Sequence, residues 1–234
     1  MATFAAAISI GALPLLRKLQ LKYHLEAGEE MEAFFKALGN GALPRLETLN
    51  LDYTNLGNGV MKVFSKAIGD GALPLIEVLT LERCQIGKEE MEAFSEAIGK
   101  GALPSLEVLD LSYNDFGEEG MKAFSAAIGK EALPRLDTLE TLDLSHNQFG
   151  KEGMEAFSAA IGKGALKSLQ TLDLKFIQFG NDGMDVLCEL LTNRSILKKL
   201  ELIIISQNLR RQDLRDLGYG RRMSIRYYPD PELE

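Results

Sequence analysis

The stretch "GALPSLEVLDLSYNDFGEEGMKAFSAAIGK", Gly101 to Lys130, holds two different hydrophobic periods side by side. In "LEVLDL", Leu109 and Leu111 alternate with Val108, Asp110 and Ser112, so the leucines share one face of an extended chain and the others take the opposite face. A half-exposed strand is predicted there. In "EEGMKAFSAAIGK", Met121, Phe124 and Ile128 recur at i, i+3 and i+7, while Glu118, Glu119, Lys122 and Ser125 fall on other faces. That is the pattern of an amphipathic helix. Gly129, directly after the stripe, is placed for a left-handed C-cap, and Pro104 keeps the connection to the strand out of helix.

The unit repeats. "GALP" stands at Gly11, Gly41, Gly71 and Gly101 with a spacing of 30, followed by "EALP" at Glu131 and, after a step of 33, "GALK" at Gly164. One strand and one helix cannot bury such a set of apolar side chains alone, so successive units must stack and share a continuous core. Parallel strands stack about 4.8 Å apart and helices about 10 Å apart, so the array curves with its strands inside. The strand sheet becomes a concave surface.

The segments "LEVLDLSYN", "LETLDLSHN", "LETLNLDYT" and "LIEVLTLERC" carry the pattern LxxLxLxxN/C, and with it the chain resembles the leucine-rich repeats. Its helix-bearing unit is similar to the ribonuclease-inhibitor-like class. The resemblance covers residues 11–205, six clear units and a weaker seventh at "LKKLELIII". It implies an α/β solenoid: a curved right-handed β-α horseshoe with a parallel concave sheet and outer helices. It also implies a non-enzymatic module that binds another protein, with no cofactor. The Asn position departs from the pattern, since Asn114 and Asn147 occupy it but so do His24, Thr54, Cys84 and Ile177. The side-chain ladder that satisfies buried loop backbone is therefore expected to be incomplete.

The segment "EALPRLDTLETLDLSHNQFG", Glu131 to Gly150, is three residues longer than its counterparts. A register starting at Leu136 would put Thr141 where a core leucine belongs. Starting at Leu139 puts Leu142 and Leu144 inside and Asn147 on the ladder, so the additional triplet is predicted to precede the strand.

Three segments follow: residues 1–10 as the helix of a partial N-terminal repeat, 11–205 as the repeats, and 206–234 as a C-terminal cap. Phe4 and Ile8 match Phe124 and Ile128, and the unit they belong to shows no polar cap, which leaves an edge open to homodimerisation. At the other end "LELIII" is followed by "LRRQDLRDLG", expected as a short helix. "RRMSIRYY" comes next, with Met223, Ile225 and Tyr227 alternating as an eighth edge strand. Arg210, Arg211, Arg215, Arg221, Arg222 and Arg226 lie here among Asp213, Asp216, Asp230, Glu232 and Glu234, which dilute them as an anion site.

The net charge of -8 and the pI near 5.0 argue against nucleic acid or anionic membrane as partner and favour a basic protein surface. Cys84 and Cys188 form no disulfide framework, and no apolar run approaches membrane-spanning length, so a cytoplasmic protein is expected. Catalytic constellations are not visible. His24 and His146 are four units apart, Cys84 reads as a buried structural thiol, and each Gly-Lys or Gly-Asn pair is expected to end a helix rather than enter one as a phosphate loop would.

Two rows of residues localise the expected binding. Along the strands run Lys18, Thr48, Val78, Val108, Thr141 and Thr171, then Gln20, Asn50, Thr80, Asp110, Asp143, Asp173 and Glu201. Asp110, Asp143 and Asp173 form an acidic row whose mutual repulsion fits either a basic partner or a screened surface. Just past the strands run Tyr23, Tyr53, Arg83, Tyr113, His146 and Phe176, residue types that dominate interface hot spots. These pack over the loops or contact a partner, and ring exposure discriminates the two. Two further readings stand beside the binding module. One is an accessory role in GTPase activation, since similar arcs occur in Ran GTPase-activating proteins; the other is a self-assembling segment.

Overall fold

Leu106, Leu109 and Leu111 are fully buried while Val108 and Asp110 are half-exposed, so the strand of this unit turns its leucines into the molecule and the intervening residues to solvent. The same alternation recurs around Leu49, Leu79 and Leu142. A computed structural model describes residues 2–23, 28–130, 136–192, 198–205 and 224–227. In chain order the elements are α1 (Ala2–Ser9), β1 (Lys18–Gln20), α2 (Gly28–Gly39), β2 (Thr48–Asn50), α3 (Val60–Gly69), β3 (Val78–Thr80), α4 (Lys88–Ile98), β4 (Val108–Asp110), α5 (Gly117–Ile128), β5 (Thr141–Asp143), α6 (Gly150–Gly162), β6 (Thr171–Leu174), α7 (Gly180–Thr192), β7 (Leu202–Ile205) and β8 (Ser224–Tyr227).

All eight strands form one open parallel sheet in the order of the chain. Each repeat pairs with the next in unshifted register: Leu79 opposes Leu109, which opposes Leu142, which opposes Leu172. Met121, Phe124 and Ile128 of α5 lie fully buried against those leucines, as the helical stripe required. Burying one such side chain contributes about 1.5–3 kcal/mol, and stacking makes that burial continuous along the array. The chain is thus an α/β repeat solenoid.

The helices end differently from the expectation at Gly129, whose φ of -82° is right-handed. The left-handed residue is the glycine of "GALP", with φ 85° at Gly101. Gly101 N–H donates to the Ile98 carbonyl (2.9 Å) and Ala102 N–H to the Ala97 carbonyl (3.2 Å), the two bonds of a Schellman cap. The first glycine still belongs to the last helical turn, which is why the cap falls two residues later. The repeated "GAL" is therefore the helix stop itself.

The connection after α5 follows the Leu139 register. Leu136 is buried with φ 46°, as Leu103 is with φ 58°, and Leu139 N–H bonds the Leu136 carbonyl (3.0 Å) as Leu106 N–H bonds Leu103 (3.2 Å). Leu136 and Asp137 thus stand where Leu103 and Pro104 stand. The letters "ALP" at 132–134 do not mark that turn in this unit, and residues 131–135 lie outside the described set.

The seventh repeat needs a correction. Leu200, Ile203 and Ile205 are buried, so they take the places of Leu169, Leu172 and Leu174, and Ile204 rather than Glu201 lies opposite Asp173. The inward positions choose the most apolar set available, and "LIII" offers one three residues later than "LEL". β8 pairs with β7 along Ser224–Tyr227 and closes that edge. The helix expected through "LRRQDLRDLG", Met223, the first five arginines and His24 lie outside the described residues.

Helix entry comes in two forms, and the Gly-Lys and Gly-Asn pairs at Gly87, Gly150 and Gly180 stand at the starts of α4, α6 and α7 rather than at helix ends. Phe116, Phe149 and Phe179 precede α5, α6 and α7, and each has a glycine four residues on. A Cβ on Gly120 would lie 2.8 Å from the Phe116 Cβ, on Gly153 3.0 Å from Phe149, and on Gly183 2.7 Å from Phe179. Before α3 and α4 the smaller Leu56 and Ile86 stand in that place, and Val60 and Glu90 follow. There Glu90 accepts a hydrogen bond from Gly87 N–H (3.3 Å) at the helix start.

Candidate interaction face

The ladder slot lies just past each strand, under the rim. Asn114 is buried, and its amide donates to the carbonyls of Leu81 (2.9 Å), Leu111 (3.0 Å) and Ser112 (3.1 Å), while its Oδ1 accepts from Cys84 and Ile86 N–H (both 3.0 Å). Asn147 donates likewise to Leu111, Leu144 and Ser145, but its buried Oδ1 finds no partner among the described residues. Thr54 Oγ1 donates to Leu21 (2.8 Å) and Cys84 Sγ to Leu51 (3.1 Å), which are the equivalent carbonyls one repeat back. The ladder is thus less incomplete than its letters imply at these two positions, where hydroxyl and thiol each keep the cross-repeat bond and only the additional amide bonds are lost, whereas the buried Ile177 has no polar side-chain atom to continue it. Burial pushes the Cys84 thiol up to about 12, so it stays protonated and unreactive at neutral pH.

One residue before the ladder, the rim row adopts left-handed backbone throughout, with φ 65° at Tyr23, 58° at Tyr53, 52° at Arg83, 53° at Tyr113, 55° at His146 and 54° at Phe176. A non-glycine residue held there costs about 1–2 kcal/mol, so the repeat imposes this turn against local preference. The six side chains form one column. Tyr23 and Tyr53 stack at 5.0 Å, and the Arg83 guanidinium lies 5.5 Å from the Tyr53 ring and 4.3 Å from Tyr113. Tyr113 and His146 stack at 3.7 Å, and His146 lies 4.3 Å from Phe176. Tyr23 (69%) and Tyr113 (38%) are exposed, as is Arg83, and the other three are half-buried. Ring faces are thus occupied by neighbouring repeats, while Tyr23 and Tyr113 remain open to solvent.

The acidic row lies on the sheet as expected for three strands, Asp110 opposite Asp143 opposite Asp173. These carboxylates also have internal work. Asp110 accepts from Ser112 N–H (2.8 Å), Asp143 from Ser145 N–H (2.8 Å) and Asp173 from Lys175 N–H (3.0 Å), closing the turn at each strand end as Asn50 does for Asp52 (3.0 Å). Asp110 and Asp143 are half-buried, and desolvation holds both carboxyls above their usual range, with the next aspartate of the row acting in the same direction. Asp173 is buried and paired with Lys175 Nζ (3.1 Å).

A second acidic row escaped the sequence reading. Glu77, Glu107 and Glu140 sit one residue before β3, β4 and β5, all exposed, with Glu47 at the same place before β2, paired to Arg17. Glu201 belongs to this row and is exposed. The signal was the glutamate that follows the first core position, in "LExL" in three of the quoted motifs and in "IEVL" in the fourth. Between the rows lie the half-buried Val78, Val108, Thr141 and Thr171. Among the described residues no cluster of His, Cys, Asp and Glu is arranged to hold a metal ion, and no helix is long and apolar enough to cross a membrane.

The family model described as Leucine Rich repeat matches residues 102–125 and 137–158, two consecutive units whose core positions, ladder and rim recur on either side. The chain thus contains leucine-rich repeats. No curated protein matches it. Among solved structures, this leucine-rich-repeat array is similar to the second actin-binding site of leiomodin-1, at 14% identity over 83% of this chain and 86% of that one, with a TM-score of 0.45. It is also similar to an internalin from Listeria monocytogenes, at 13% identity over 97% and 70%, with a TM-score of 0.38.

Proposed function

We propose that this leucine-rich-repeat array is a protein-interaction module of the ribonuclease-inhibitor-like class that engages a basic partner surface through its concave sheet. The observation that supports the reading best is the pairing of two parallel carboxylate rows, Glu77, Glu107 and Glu140 beside Asp110, Asp143 and Asp173, on one solvent-facing sheet. Surface carboxylates in register repel one another, and a cationic partner relieves that repulsion. The rim column adds apolar ring edges along one side. A cytoplasmic setting suits two cysteines that form no disulfide with one another.

The test is a comparative pull-down from a lysate of the source cells. Glu107→Lys with Glu140→Lys should remove the captured proteins, Asp110→Asn with Asp143→Asn should weaken them, and Glu155→Lys on the convex side should leave them unchanged. Undiminished capture by the concave variants at low salt would sink the proposal.

A second contact is favoured at the first repeat. Ile10 (85%), Leu15 (67%) and Leu13 (37%) are exposed there, where the second repeat places Asn40, Arg45 and the buried Leu43. Self-association through this end predicts a dimer in light scattering that disappears in Leu15→Arg. A monomer at every concentration of the parent chain would rule it out.

A further inference from the structure

The concave face has a charge pattern along the repeat axis as well as across it. Lys18 is exposed on β1 and Arg226 on β8, and beside the first strand Arg17 and Lys22 pair with Glu47 and Asp52, while the two carboxylate rows together run from β3 to β6, with Glu201 beyond them before β7. The strip is therefore positive, then negative, then positive. Its acidic part spans three strand intervals, about 15 Å. Its width from the glutamate row to the aspartate row is three residues of strand, about 10 Å. The floor between is formed by Val78, Val108, Thr141 and Thr171.

These dimensions select among basic segments. Along the axis the carboxylates recur about every 4.8 Å. Cations on one face of an α-helix recur about every 5.4 Å, a mismatch that stays below about 2 Å over three intervals and lies within the reach of Glu and Lys side chains. Cations on one face of an extended chain recur about every 6.7 Å, and over the same distance they drift about 6 Å out of register. The width of the strip also matches the roughly 10–12 Å diameter of a helix.

Resting on the concave-face reading above, we infer that the occupant is a basic amphipathic helix of about three turns laid across the strands from β3 to β6. Its cations face Glu77, Glu107 and Glu140 on one side and Asp110 and Asp143 on the other. Its apolar residues lie on the Val and Thr floor and against the ring edges of Tyr113 and His146. Lys18 and Arg226 exclude cations from its ends, so the matching segment carries lysines or arginines at the centre and neutral or acidic residues outside them. Asp173 is already neutralised by Lys175 and contributes least.

Three synthetic peptides of equal length and charge test this by fluorescence anisotropy at low salt with the whole chain. One carries four lysines on a single helical face in an alanine and glutamine background; the second has the same composition with the lysines spread around the helix. The third alternates lysine with threonine and valine. The one-face peptide should bind at least about tenfold more tightly than either other. Glu107→Lys with Glu140→Lys should abolish that binding, and Glu155→Lys should leave it intact. Equal binding of all three, abolished by the concave variants, overturns the helix while the concave-face reading stands. Binding that ignores the concave variants overturns both, and so does no binding by any peptide.

Discussion

The Tyr113 ring and the His146 imidazole, which belong to successive repeats, lie 3.7 Å apart and within 11° of parallel. The other face of Tyr113 carries the Arg83 guanidinium at 4.3 Å. Stacked pairs of this kind contribute about 0.5–1.5 kcal/mol beyond their burial. A double-mutant cycle of Tyr113→Ala and His146→Ala, read from urea midpoints, is expected to return a coupling of about 1 kcal/mol. Strict additivity would mean that the column forms without stabilising the repeats.

The ladder asparagines should differ in worth. Asn114 fills both acceptor positions of its Oδ1, whereas the Oδ1 of Asn147 is buried without a partner among the described residues. Each satisfied bond contributes about 1 kcal/mol, and orphaned buried backbone costs about 1–3 kcal/mol. Asn114→Ala is therefore expected to destabilise by about 3 kcal/mol or more, and by more than Asn147→Ala, in parallel denaturant titrations. The reverse order would contradict the bonding described.

Phe116 and Gly120 form a steric pair. Placing a methyl group 2.8 Å from the Phe116 Cβ forces helix α5 away from its entry loop, and overpacking of this sort costs about 1–3 kcal/mol. Gly120→Ala should lower thermal stability, and Gly153→Ala, where the added methyl group meets the Phe149 Cβ at 3.0 Å rather than 2.8 Å, should lower it by less. Two variants as stable as the parent would show that the entry loops yield to the added methyl group.

Acid titration reports on the sheet. Asp110 and Asp143 have carboxyls raised mainly by burial, so the fold favours their protonated form. Their contribution to stability is fully present below the unfolded carboxylate pKa and is lost as pH rises through the raised folded value. Asn retains the oxygen that accepts Ser112 N–H and removes the ionisation, so Asp110→Asn should be more stable than the parent at pH 7 by a few degrees in Tm. That advantage should vanish as pH falls below the ordinary carboxylate range. A gain that persists in acid would assign the effect to packing instead.

The alternation of strand and helix was legible because Leu109, Leu111, Met121, Phe124 and Ile128 each sit at a position that only one period explains. The Leu139 register was legible for the same reason, since the alternative buries Thr141. Other features left weaker signals. Left-handed backbone is announced in sequence by glycine or asparagine, and the rim places tyrosine, arginine and histidine there, so the turn that aligns the rings was invisible. The strand-end bonds of Asp110 and Asp143 depend on a backbone N–H two residues on, which composition does not disclose. At β7 the apolar letters were too many: four consecutive hydrophobic residues fit either face, and Glu201 was placed in the wrong row.

The connection between Ile128 and Leu136 is a seam in an otherwise fixed weave. Upstream of Leu136 the chain length differs from that of the neighbouring units, yet Leu109, Leu142 and Leu172 stay aligned as if nothing had been added. Sheet pairing and helix packing are therefore insulated from what the chain does between one helix stop and the next buried leucine. Material spliced into that seam would leave the pairing of β5 with its neighbours unaltered, so the array could acquire a new appendage there and keep its old surface.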